Sequence, residues 1–344
     1  MHGFPAGIQA IVSLALAGIL TAAITPLAIR LALRTSFLDH PLGYKQHSAP
    51  TPYLGGLAVI AGALGVAVAF DGDIAGFGAI ALTALALLVV GTVDDRIGLG
   101  VFARVVAQVA AALVLYSANV RWDVSDSAAL NLFATLVWVV GLTNAFNLMD
   151  NIDGAAGTVA AVAAGGTGII GAVDGDSGLT ILSFALCGAC LCFLPFNLAK
   201  PSRIFLGDGG SMPIGVIVAA ITMQSPDGSL GWASLPALAP LAGLPIFDTS
   251  LVVLSRYRRK AQILSGGRDH LTHRLLGRFG SARSVALILA SAQAALCALA
   301  MLLDSLSPEE VAAATIAYLA CGVAALVILD SPVWLRHVAS EQLA

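Results

Sequence analysis

The stretch "LALLVVGTVDDRIGLG", residues 85–100, runs apolar for two turns of helix or more and then places two aspartates side by side, Asp94 and Asp95, with Arg96 directly behind them. Two like charges at the lip of a greasy segment make sense where such a segment ends at a polar boundary. The rest of the chain says what kind of boundary. Of 344 residues 58% are hydrophobic and 11% are charged, against about 25% charged in ordinary soluble domains. A soluble fold would need a core larger than its surface could cover. The sequence therefore predicts an all-α polytopic membrane protein. The net charge of −3 says little, because the placement of charge matters here and its sum does not. The first apolar run lacks a basic flank and a small-residue cleavage site, so it reads as a retained helix rather than a signal peptide.

Crossing the roughly 30 Å hydrocarbon layer takes about 20 apolar residues. By that measure there are eleven candidate helices, at about 8–30, 54–70, 76–93, 102–120, 128–146, 155–173, 178–196, 211–224, 232–254, 284–303 and 310–329. The eighth is short and is expected to be tilted or broken and buried by its neighbours. The ninth carries Asp248 well inside it and is expected to break, or to extend past the membrane, near Pro245. If alternate loops face opposite sides, only Arg121 of the 17 Lys and Arg residues falls on the minority side. Basic residues are retained on the cytoplasmic side, so the N-terminus is expected outside and the C-terminus inside, which an odd helix count fits. The outer loops then hold Asp71, Asp73, Asp174, Asp176, Asp227, Asp304, Glu309 and Glu310, mostly in short turns. The five cysteines, including "CGACLC" (187–192), lie in apolar runs without His or acidic partners. They read as small buried side chains and imply no disulfide framework.

Five strings meet on the basic side: "DHPLGYKQHSAPTPYLGG" (39–56), "DDRIGLGVFARVVAQ" (94–108), "NAFNLMDNIDG" (144–154), "FNLAKPSRIFLGDGGS" (196–211) and "FDTSLVVLSRYRRKAQILSGGRDHLTHRLL" (247–276). They hold Asp39, Asp94, Asp95, Asp150, Asp153, Asp208, Asp248 and Asp269, with Lys45, Arg104, Arg203, Arg256, Arg274 and the histidines His47, His270 and His273. Carboxylate and amide oxygens suit a hard cation such as Mg2+, commonly held by one or two carboxylates plus substrate phosphates. Interleaved Lys and Arg suit those phosphates. Taken singly, each string has a plainer reading. Paired aspartates can be solvated interfacial charge, "RYRRK" (256–260) an orientation signal, the histidines polar loop residues, and "GDGGS" a helix cap. Their co-occurrence on one side favours a metal-assisted phosphoryl-transfer site at a membrane surface.

In order along the chain, the motifs are D-x-P-x5-H-x4-P-x2-GG, DD with a basic residue nine further on, N-x-x-N-x-x-D-x-x-D-G, FN…F-x-GD-x-GS, and P-x-F-D-T…D-H-x-x-H-R-L. This set, over about residues 39–276, resembles the polyprenyl-phosphate N-acetylhexosamine-1-phosphate transferases of glycosyltransferase family 4. The resemblance implies a Mg2+-dependent enzyme (Mn2+ as the alternative metal) in one integral membrane unit over 1–344. Its motif loops would lie at about 31–53, 94–101, 147–154, 197–210 and 255–283, on the cytoplasmic face of the bacterial inner membrane. A UDP-N-acetyl amino sugar, GlcNAc by preference, would give sugar-1-phosphate to undecaprenyl phosphate and release UMP, starting a lipid-linked glycan. Membrane lipid and a second copy in a homodimer are the other partners expected, and nucleic acid is not.

By position the resemblance implies that Asn147 and Asp208 ligate the metal and that Phe205 stacks on uracil. Asn197 would contact the nucleotide, and Lys45, Asn144, Asp150 and Asp153 would be polar site residues. It places His270, His273 and Arg274 in a loop over the sugar and diphosphate, and Arg104 on phosphate. Asp94 and Asp95 form the catalytic acid pair, one accepting a proton from the acceptor phosphate or positioning it, with their division of labour open. The chain departs from the family pattern at Tyr44-Lys45, at Asn151, in the spacing from "FN" to "GD", and at Thr272 in place of a middle histidine. The last change favours the branch that starts surface glycans over the phospho-MurNAc-pentapeptide translocases, whose histidine pattern "DHLTHRLL" lacks. A multipass transporter is the rival of another class, but transporters typically place ionisable groups near the midplane, and here almost every charge ends a helix. "DGAAG" (153–157) faintly suggests a CDP-alcohol phosphotransferase, without the Ala-Arg pair and spaced aspartates that should follow.

Overall fold

The computed structural model describes residues 4–40, 50–70, 76–224, 235–263, 267–331 and 334. Lys45 and His47 fall outside these, as do Asp71, Asp73 and Asp227. The described chain is mostly helical. Its helices are α1 (Ala6–Arg34), α2 (Gly55–Phe70), α3 (Phe77–Ile97), α4 (Val101–Ser117), α5 (Ala128–Met149), α6 (Ala155–Asp174), α7 (Ser177–Asn197) and α8 (Asp208–Thr222). After these come α9 (Leu235–Leu238), α10 (Gly243–Arg258), α11 (Leu271–Phe279), α12 (Ala282–Asp304) and α13 (Pro308–Leu329). Two short strands, β1 (Leu38–Asp39) and β2 (Thr51–Pro52), pair antiparallel between α1 and α2.

Each of the eleven apolar runs is mainly helical over its described residues. By length and composition 8 stretches can cross a membrane: α1, α3, α5, α6, α7, Leu235–Arg258, α12 and α13. The others, α2, α4 and α8, have 16, 17 and 15 residues. At 1.5 Å per residue they reach about 22–26 Å, short of the hydrocarbon layer.

α8 is the hub. It packs on α2, α3, α5 and α6, and from Gly209 to Thr222 every residue is buried. Close approach between helices comes from missing side chains, the usual device where lipid gives helices no hydrophobic reason to associate. A Cβ on Gly91 of α3 would lie 2.2 Å from the Asp208 carbonyl oxygen, and one on Gly56 of α2 would lie 2.3 Å from Gly210 Cα. The outer helices face the other way. α1 exposes Ile11, Ile19 and Leu27, and α13 has no buried residue. The cysteines are free, with Cys187, Cys190 and Cys297 buried.

The ninth run breaks ahead of the position its proline suggests. A 3-10 turn at Ala239–Ala242, containing Pro240, separates α9 from α10, and Pro245 lies in the first turn of α10. A first-turn N–H has no intrahelical acceptor, so a proline is harmless there.

Candidate active site

The helix ends at 94–104, 144–153 and 205–211 come together at one end of the bundle, and hydrogen bonds fix each contact. α3 stops at Ile97, where Gly98 takes a left-handed conformation (φ 70°) and returns its N–H to the Asp94 carbonyl at 2.8 Å. Such a residue closes a helix C-terminus at little cost when it is glycine. The chain then reverses into α4. The Leu99 N–H donates to Asp94 Oδ1, and Arg104, one turn into α4, swings back to the pair it follows. Its Nη1 lies 3.2 Å from Asp94 Oδ2 and 3.1 Å from Asp208 Oδ2. One guanidinium thus serves two carboxylates from two different helices.

Asp95 does something else. Its Oδ1 accepts the Asp208 N–H and its Oδ2 the Gly209 N–H, both at 3.0 Å. The first N–H groups of a helix lack partners and carry partial positive charge. A carboxylate from α3 therefore caps α8 in place of a local side chain. The residue before Asp208 is Gly207 (φ 73°), where a Cβ would come within 2.5 Å of Asp95 Oδ2. Arg96, next in line, turns outward. It donates to the Ser36 carbonyl at 2.9 Å and lies 5.5 Å from the centre of the Phe37 ring.

α5 brings its polar face by helical spacing. Asn144, Asn147 and Asp150 stand three residues apart, so they share a face. Asn144 pairs with the Gln108 amide of α4 and donates to Val140 O at 2.9 Å. Asn147 Nδ2 donates to Asp208 Oδ1 at 2.7 Å and to Ser211 Oγ at 3.1 Å. Asp150, just past the helix end, accepts the Gly207 N–H. Its carboxyl is held well above the usual carboxylate range, by burial first and then by the charges of Asp208, Asp95 and Asp153.

The strand pair supplies the remaining wall. Tyr53 follows β2 and lies edge-on to Phe37 (5.8 Å) and to Phe205 (6.1 Å). Its hydroxyl bonds Asp39, and burial, then the Asp39 and Asp95 charges, raise its pKa above the usual phenol value. Phe205 is anchored by its backbone, its N–H on Pro52 O at 2.8 Å and its carbonyl on the Gly55 N–H at 3.0 Å.

Two residues of the motifs are used inside the protein. Asn197 is 4% exposed; its Oδ1 accepts the Gly154 N–H at 2.6 Å and its Nδ2 donates to Ile204 O at 3.0 Å. It joins the turn before α6 to the loop before α8. Arg274 is 2% exposed. It donates to Asp269 O, Leu329 O, Ser255 Oγ and Asp330 Oδ1, so its guanidinium faces the C-terminal end of α13. His270 and His273 stand 6.3 Å apart on α11 and its cap. α11 reaches the acidic turn through Thr272, whose hydroxyl donates to Asn151 Oδ1. Tyr53, Gln108, Ser211 and Asn151 carry site contacts although none of them was among the candidate site residues. Gln108 was legible one turn after Arg104 and Ser211 three residues after Asp208. Tyr53 carried no signal, because its position depends on the strand pair.

The donor set suits a hard divalent cation. Its carboxylates and amides offer oxygen ligands, and burial together with the neighbouring acid charges holds the Asp150 carboxyl above the usual range. Among the described residues no group of three or more His, Cys, Asp or Glu side chains forms a closed metal cage.

The profile of glycosyl transferase family 4 matches residues 77–225, which span α3 to just past α8. The decaprenyl-phosphate N-acetylglucosaminephosphotransferase of Mycobacterium tuberculosis is 31% identical over 321 residues, covering 80% of this chain and 79% of that one. The probable undecaprenyl-phosphate N-acetylglucosaminyl 1-phosphate transferase of Bacillus subtilis is 28% identical, covering 74% and 73%. The undecaprenyl-phosphate alpha-N-acetylglucosaminyl 1-phosphate transferase of Escherichia coli K12 is 28% identical, covering 79% and 77%. A multi-pass helical bundle with an acid-rich site at its helix ends is the class these features define. The chain belongs to glycosyl transferase family 4 and is a sugar-phosphate transferase.

Proposed function

We propose that this chain transfers GlcNAc-1-phosphate from UDP-GlcNAc to undecaprenyl phosphate at the cytoplasmic face of the membrane, with Mg2+, and releases UMP. The observation that carries this reading is the contact of Asp94, Arg104, Asn147 and Asp208 at the helix ends. A lipid-borne phosphate and a water-soluble nucleotide can meet only at such a boundary. The names of the relatives in Bacillus, Escherichia and Mycobacterium support both the sugar and the class of acceptor.

An oxygen of the acceptor phosphate attacks the donor phosphorus that carries the sugar. The new P–O bond forms as the diphosphate bond to UMP breaks, and UMP leaves with the bridging oxygen. Asp208 and the Asn147 amide oxygen, after rotation of the amide, are the residues to hold Mg2+, which would neutralise charge on the donor diphosphate. Asp94 is the acid set to face the acceptor, keeping its phosphate deprotonated and in line. Arg104, held between Asp94 and Asp208, offers its remaining N–H groups to phosphate oxygens. Asp95, with both oxygens on α8, positions Asp208. Catalysis of this kind rests on placement and charge neutralisation more than on covalent steps.

Purified protein supplied with radiolabelled UDP-GlcNAc, undecaprenyl phosphate and Mg2+ should yield UMP and a lipid-linked sugar. Asp208→Asn should remove turnover while the thermal unfolding curve stays cooperative. Wild-type protein inert towards UDP-GlcNAc and other UDP-amino sugars would refute the reading.

A further inference from the structure

Asp248 has no part in the reaction above, yet its side chain is completely buried, 0% exposed, in α10. A carboxylate in such a place is costly unless it is fully hydrogen-bonded. Both of its oxygens go to the start of α11. Oδ1 accepts the Leu271 N–H at 2.6 Å, and Oδ2 lies 2.8 Å from His270 Nδ1. A carboxylate can only accept, so His270 donates from Nδ1 and its Nε2 edge is the one left for another partner. Asp248 thus caps α11 from a neighbouring helix, as Asp95 caps α8.

The same turn is gripped from a second side. The Thr272 hydroxyl donates to Asn151 Oδ1, across 121 residues of sequence. Asn151 is itself fixed, because its Nδ2 donates to Leu148 O at 2.6 Å. Thr272 is 0% exposed, so its hydroxyl has no water to turn to. Asn151 lies between Asp150 and Asp153, so this one bond ties the histidine turn to the acid cluster.

We infer that Asp248 and the Asn151–Thr272 hydrogen bond are positioning elements. They form a two-point clamp that seats His270 and His273 against the Asp150–Asp153 turn and so governs binding of the nucleotide-sugar donor. The clamp rests on the proposed function for its substrate. Its side of the site is the polar one. The segment leading into α11 is charged rather than apolar, with Arg256 and Arg259 both paired to Asp269 and Arg268 beside them, which suits a water-soluble donor better than an isoprenoid tail.

The test uses the full chain in nanodiscs containing undecaprenyl phosphate. Thr272→Val removes the hydroxyl at nearly constant volume, Asn151→Ala removes its acceptor, and Thr272→Ser restores the bond. Each of the first two should raise the KM for UDP-GlcNAc about tenfold, the scale of one lost buried hydrogen bond. The double variant should be no worse than either single one, the Ser variant close to wild type, and the KM for undecaprenyl phosphate unmoved. Additive losses, equal rises in both KM values, or an unchanged donor KM would overturn the clamp. A structural readout separates this from failure of the function itself. In 15N-histidine spectra, Asp248→Asn should move the His270 Nδ1 signal, because a donating amide replaces an accepting oxygen. An unmoved signal refutes the clamp even in a protein with no turnover, whereas an inert wild type with a shifted signal refutes only the substrate assignment. If Asp248→Asn fails to fold, the kinetic comparison at Thr272 still decides.

Discussion

Asp95 gives both carboxylate oxygens to backbone N–H groups of α8, whereas Asp94 holds one N–H and shares Arg104 with Asp208. Substitutions that look alike in sequence should therefore fail in different ways. Asp95→Asn turns an amide donor towards a helix N-terminus that offers only donors, which should lower stability by about 1–3 kcal/mol along with activity. Asp94→Asn leaves Arg104 its contact with Asp208, so turnover should fall at least a hundredfold with little change in Tm. Measuring kcat and Tm on both variants decides, and equal Tm losses would contradict the division. His273 offers a pH test. Burial, then the charges of His270 and Arg268, bring its imidazole down from 6.5 to about 4. Between those values the unfolded chain binds a proton that the folded chain does not, so this contribution is present above pH 6.5 and lost as the pH falls towards 4. Histidine NMR should give a titration midpoint near 4, and the acid-side fall in Tm should flatten in His273→Gln. The sequence exposed the identity of the acids and amides but not this division of tasks. Which oxygen meets which N–H depends on how α3 meets α8, and neither helix carries that information alone.

At the scale of elements, hydropathy located the apolar helices, 8 of them long enough to cross a membrane among the described residues, because each needs a long run of side chains that tolerate lipid or a packed interior. The spacing of Asn144, Asn147 and Asp150 was also legible, being a property of one helix. The start of α8 was not. The apolar run begins near 211, but the helix begins at Asp208 because a carboxylate from α3 caps it there. A break in the ninth run was legible but not its place, which is the 3-10 turn around Pro240, a few residues before Pro245. Arg274 and Asn197 sit inside the motifs, yet they tie loops together, since a motif records position and not direction. Gly91 shows how tightly the hub is set. Alanine there would put a Cβ 2.2 Å from the Asp208 carbonyl oxygen, and backbone cannot yield as a side-chain tip can. Gly91→Ala should displace the start of α8, lowering stability by roughly 1–3 kcal/mol, the range for overpacking, and suppressing turnover. Gly78→Ala, on the same helix with open space around it, should do neither. Thermal unfolding and UMP release on the pair give the comparison.

For the whole molecule the remaining question is which way it faces. The helix ends that form the site share their side with all the Lys and Arg residues except Arg121, if alternate loops lie on opposite faces. Arg121 is itself neutralised in place. Its Nε lies 2.9 Å from Asp123 Oδ1, and its guanidinium stands 4.9 Å from the centre of the Tyr116 ring. The minority side therefore holds a single basic residue, while the site side carries Arg256, Arg258, Arg259 and Lys260 in one short run. On the retention of basic loops we propose that the acid cluster faces the cytoplasm, the side on which the proposed donor is made. In a chain stripped of its own cysteines, a cysteine placed at Asn119, beside Arg121, should react with a membrane-impermeant thiol reagent added to intact cells. One placed at Gly280, the left-handed residue that ends α11, should react only after the membrane is opened. The reverse pattern would put the site outside, beyond reach of a cytoplasmic donor, and the proposed reaction would fall with it.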